Sequence, residues 1–98
     1  MANSQKTARF LIESRLRDAA YGSADACFDL GVVYSSGAEG VAIDLVEAHK
    51  WFNIAAMTGS AAAQACRAEI AEDMTAREII TAQKAARAWL RGIERRAA

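Results

Sequence analysis

Residues 23–63 read SADACFDLGVVYSSGAEGVAIDLVEAHKWFNIAAMTGSAAA, and this stretch decides the fold. Ser23 stands where a helix begins. Its hydroxyl can accept a bond from a free backbone N–H of the first turn, and Asp25 follows where the helix dipole favours negative charge. Ala26, Leu30, Val33 and Tyr34 recur at helical spacing and predict one apolar face. Gly31 interrupts that helix at a cost of about 1 kcal/mol against alanine, which predicts a second backbone in close approach. Gly37 is placed to end the helix in a left-handed conformation. Beyond Gly40, Asp44 with Glu47 three residues on predicts the next helix start, as an Asp-based capping box. Leu45, Ala48, Phe52, Ala55 and Ala56 give this second helix an apolar side, with Trp51 beside them. Gly59 ends it, and Ser60 opens another at once. Two helices joined by a short glycine turn make an antiparallel αα-hairpin.

Working outward, the segment Tyr21-Gly22-Ser23-Ala24-Asp25-Ala26 is echoed by Thr58-Gly59-Ser60-Ala61-Ala62-Ala63, an offset of 37 residues from Gly22 to Gly59. That offset equals one helix pair, the unit of an α-solenoid. The pattern Ala26, Leu30-Gly31, Tyr34, Gly37, Gly40-Val41, Asp44, Ala48, Trp51-Phe52, Ala55-Ala56, Gly59, Ala63 closely resembles the Sel-one-like repeat, a relative of the tetratricopeptide repeat. The tail, Met74-Thr75, Glu78-Ile79, Ala82-Gln83, Ala86 and Trp89, resembles the end segment of bacterial members. The resemblance covers residues 22–90 and implies helix pairs stacked in a tetratricopeptide-like, right-handed α-α superhelix that holds other proteins. The second unit departs from the pattern: Arg67 stands where Leu30 stood, and no Gly-Val-Asp turn follows. It reads as a degenerate, capping unit.

The expected fold is therefore all-α, with about five antiparallel helices stacked as pairs in a single domain over residues 1–98. Residues 1–22 form an N-terminal capping helix, 23–59 the full repeat, and 60–94 the degenerate repeat with a C-terminal capping helix. In the first helix, Ala8, Ile12, Leu16 and Ala19 line one face, with Leu11 at its edge. Residues 61–73 make a thin, alanine-rich fourth helix. Thr75 with Glu78 forms a Thr-x-x-Glu capping box that starts the fifth. In that helix Ile79, Ala82, Ala86, Trp89 and Ile93 make a narrow apolar seam, with Lys84, Arg87 and Arg91 on other faces. The seam is expected to dock on the fourth helix and on the Leu45–Thr58 helix, and the end at 95–98 to fray.

A composition of 53% hydrophobic and 24% charged residues, rich in alanine and without proline, fits a globular helical chain. No apolar run is long enough to span a bilayer. The N-terminus, MANSQKTARF, lacks the apolar core of a signal peptide, so a cytoplasmic protein is expected. Cys27 and Cys66 then read as small buried hydrophobes rather than a disulfide.

The formal net charge is zero, but its distribution is uneven. Residues 1–17 set Lys6, Arg9, Arg15 and Arg17 against Glu13 alone, and residues 84–98 set Lys84, Arg87, Arg91, Arg95 and Arg96 against Glu94 alone. Such ends are either solvated helix faces or a basic surface for nucleic acid or an anionic membrane. The absence of a placed stacking aromatic disfavours nucleic acid. No catalytic constellation is found. His49 reads as an exposed helix residue without a Ser or Cys at general-base spacing. Gly31, Gly37 and Gly40 lack the Lys-Ser/Thr of a phosphate loop. No cofactor or metal site is expected.

The expected role is a non-catalytic adaptor that binds a protein or peptide. Self-association into a homo-oligomer is the alternative, and a nucleic-acid or membrane accessory a third reading. The candidate partner-binding residues are Asp25, Phe28, Val32, Ser35 and Ser36, on the side of their helix opposite the packed face. Phe28 and Val32 either mark a binding groove or lie under the first helix as core.

Overall fold

The computed structural model describes residues 4–97, with side chains from Thr7 to Arg96. The chain is all-α, with no strand among the described residues. Five helices pack together: α1 (Ser4–Ala20), α2 (Ala24–Ser36), α3 (Leu45–Met57), α4 (Ala61–Ala71) and α5 (Ala76–Ala97). α5 persists through Arg95 and Arg96, where the sequence predicts fraying. Ala98 and the Lys6 side chain lie outside the described residues.

Local chemistry sets the helix ends. Ser23 Oγ accepts from the Ala26 N–H at 3.1 Å, and Ser60 Oγ accepts from the Ala63 N–H at 3.2 Å. Before each serine the same turn recurs. Gly22 (φ 90°) donates to Ala19 O, and Ser23 donates to Asp18 O. Gly59 (φ 120°) donates to Ala56 O, and Ser60 donates to Ala55 O. Every one of these partners is displaced by the same 37 residues, so the sequence echo is a repeated helix–turn–helix junction. Gly37 ends α2 at φ 72°, donating to Val33 O at 3.0 Å. A single 3-10 turn, Ala38–Gly40, then leads into α3.

The two predicted capping boxes come out differently. Thr75 and Glu78 close theirs in both directions, at 2.8 and 3.1 Å. Asp44 Oδ1 caps the Glu47 N–H at 3.1 Å, but the return bond is missing. The Asp44 N–H instead donates to Tyr34 O at 2.9 Å, pinning the start of α3 to the end of α2. The Glu47 carboxylate turns to the Trp51 indole N–H, at 3.1 Å, and to Lys50.

α3 is the shared element: α2, α4 and α5 all pack against it, and α1 packs on α2. The seam of α5 docks on α3, with only slight contact to α4, where the sequence predicts both. Ala82 and Ala86 are fully buried and leave room for the helix axes to approach. Trp89 meets Trp51 edge to face at 4.9 Å between ring centroids, and the Lys50 ammonium lies 4.5 Å from the Trp51 ring. Leu30, Trp51, Phe52, Ile54 and Cys27 are the largest fully buried side chains. Gly31 does make room, but for a ring rather than a backbone. A Cβ there would sit 2.5 Å from Phe52 Cδ1 and Cε1.

His49 corrects the sequence reading most sharply. It is buried, at 3% exposure, not exposed. Its Nδ1 and the Trp89 Nε1 are buried without a hydrogen-bond partner among the described residues. Cys27 is buried as expected, whereas Cys66 is half-buried; both are free.

Candidate protein-binding site

The predicted residues on α2 do not assemble into an open groove of their own. Phe28 turns inward onto Phe52, with ring centroids 5.6 Å apart, and sits at the margin of the core. Ser35 Oγ and Ser36 Oγ both donate to Val32 O, at 3.2 and 2.7 Å, as helical hydroxyls commonly do. Asp25 is exposed in the first turn, and Val32 is 38% exposed. α1 reaches this side of α2, where Arg15 Nε donates to Asp29 Oδ2 at 3.0 Å.

A better-formed surface lies where α3 ends against the second half of α5. Thr58 closes α3 by donating its hydroxyl to Ile54 O and Ala55 O. That leaves Met57, one residue earlier, 63% exposed beside α5. Burial of Ala86 and packing of the half-buried Trp89 on Trp51 of α3 then fix the rotation of α5. Leu90 is left half-buried at the edge of its seam, and Arg87, Arg91 and Glu94 point outward. Met57, Thr58, Arg87, Leu90, Arg91 and Glu94 line an open groove of about 320 Å³. Across α5 a second hollow of about 380 Å³ is lined by Ala20, Tyr21, Gly22, Ile93 and Arg96. Tyr21 is 88% exposed.

The electrostatics of this end are one-sided. Lys84, Arg87, Arg91 and Arg95 follow one another at steps of three, four and four residues, and all are exposed. Neighbours four apart on a helix lie about 5–6 Å from each other, and like charges there destabilise the helix by about 0.2–0.5 kcal/mol per pair. Among the described residues the ion pairs are Arg15–Asp29 and Lys50–Glu47, so none of these four cations pairs with a carboxylate of those residues. The groove therefore joins an apolar floor, Met57 and Leu90, to a cationic ridge.

Burial raises the Cys27 thiol to about 11, away from the reactive thiolate. No group of three His, Cys, Asp or Glu among the described residues could hold a metal ion. No helix among them is long and apolar enough to cross a membrane. The sequence pattern contains the ridge, in the spacing of residues 84, 87, 91 and 95. It does not contain the floor, because Met57 reaches Leu90 only through tertiary packing. Comparison with known proteins returned no matching family model, no significant match among curated proteins and none among solved structures.

Proposed function

We propose that this chain is a non-catalytic protein-binding module that captures a segment of another protein at the α3–α5 groove. The observation that carries the reading is the pairing of an exposed, flexible Met57 and a half-buried Leu90 with a row of exposed cations. Methionine adapts to varied apolar side chains, and peripheral charge adds orientation and association rate. The resemblance of residues 22–90 to the Sel-one-like repeat supports the same class of role.

The test is selection of a random-peptide display library on the immobilised chain, with the same selection on Met57→Asp. Residue 57 is exposed, so the variant is expected to fold. Enriched sequences that bind the wild type and lose at least about tenfold on the variant support the reading, since a central anchor typically dominates such contacts. No enrichment, or enrichment indifferent to the substitution, overturns it.

A further inference from the structure

Resting on that reading, we infer that the occupant of the groove is an acidic amphipathic helix lying along α5. Its carboxylates meet Lys84, Arg87, Arg91 and Arg95, and an apolar side chain settles between Met57 and Leu90. The occupant is argued from charge. The ridge has helical periodicity, and each of its cations is exposed and unpaired among the described residues. A second helix in side-by-side register presents groups at the same three- and four-residue steps, so carboxylates four apart match guanidiniums four apart. Arginine suits the task, because its planar fork takes a carboxylate through two parallel hydrogen bonds. The single carboxylate in the lining, Glu94, sits at the C-terminal end of the groove and marks where the partner's acidic row must stop or carry a cation. The floor selects against a purely acidic strand, since Met57 and Leu90 offer apolar surface that only an apolar residue desolvates to advantage.

The sharpest test is a charge swap. Two fluorescein-labelled, alanine-based helical peptides carry leucine on one stripe, and either glutamate or lysine at every fourth position of the adjacent stripe. Fluorescence anisotropy is read on the wild-type chain and on the double variant Arg87→Glu/Arg91→Glu, with circular dichroism confirming that the variant folds. The glutamate peptide is expected to bind the wild type at least about tenfold more tightly than the lysine peptide, and more weakly as salt rises. The preference is expected to invert on the double variant. Equal binding of the two peptides, no binding of the glutamate peptide, or no inversion overturns the inference. So does avid binding of phosphatidylglycerol vesicles or of duplex DNA that outcompetes the glutamate peptide, because the ridge then serves a different surface. Display selection that yields neutral or basic sequences would sink the acidic helix while leaving the binding module standing.

Discussion

The α2–α3 hairpin and the α4–α5 pair begin with the same hydrogen bonds, 37 residues apart, yet they cohere in different ways. α2 and α3 grip each other directly. Leu30 is fully buried, the Phe52 ring lies on Gly31, and Phe28 tilts against Phe52. α4 and α5 instead both lean on α3 and barely meet. The position matching Leu30 is Arg67, whose guanidinium donates to Asn53 on α3. The position matching Gly31 is Ala68, which is exposed. A helix junction needs only a glycine and a capping serine, so it repeats easily. A packed face needs every position along it, so the second unit keeps the turn and loses the direct packing of its two helices on each other.

The comparison breaks most visibly at its matched core positions. Leu30→Ala is expected to lower stability by about 2–5 kcal/mol, the range for emptying a buried leucine site. Arg67→Ala removes one partly buried hydrogen bond and is expected to lower it by about 1 kcal/mol. Urea titration of both variants measures the gap, and equal losses would mean that the two units are equally packed. A smaller pair of effects sharpens the contrast. Gly31→Ala forces a methyl into the Phe52 ring, at an overpacking cost of about 1–3 kcal/mol against a helix-propensity gain of about 1 kcal/mol. Ala68→Gly, the reverse change in open surroundings, is expected to cost about 1 kcal/mol through propensity alone. Destabilisation by both opposite substitutions is the signature of a filled site facing an empty one.

The smallest effect concerns the side of α3 that faces α4. Burial, and then the neighbouring Arg67 guanidinium, lower the His49 pKa below its usual value of 6.5. The folded chain thus favours the neutral ring. Well above that pH both states are neutral and the full stability is present. Below it the unfolded chain takes up a proton that the folded chain resists, and stability falls. Urea midpoints are expected to hold near pH 8 and to decline toward about pH 5. His49→Leu should flatten that part of the slope; an unchanged slope would remove His49 from the account.

Much of the fold was legible because it is written locally. Ser23, Gly37, Asp44, Ser60 and Thr75 announce helix ends through groups within a few residues, and the seam of α5 shows in its spacing. What could not be read depends on which helix lies opposite. His49 looks like an ordinary polar helix residue until the fold buries it near Arg67 of α4. Glu47 looks like the return half of a capping box until Trp51 offers a better donor and Tyr34 takes the Asp44 N–H. Phe28 reads in the sequence either as groove or as core, and only the fold brings its ring against Phe52, which lies on Gly31. The binding surface was half visible: the cations of α5 and Leu90 lie on one helix, whereas Met57, the other half of the apolar floor, comes from a helix end about thirty residues earlier.

Trp51 and Trp89 are the only tryptophans in the chain, and they form one edge-to-face pair across α3 and α5. Intrinsic fluorescence excited at the red edge of the aromatic band will therefore report a single contact. It will register undocking of the last helix and stay silent if the first helix peels away. The molecule thus carries its own local gauge, seated next to the groove where a partner would press.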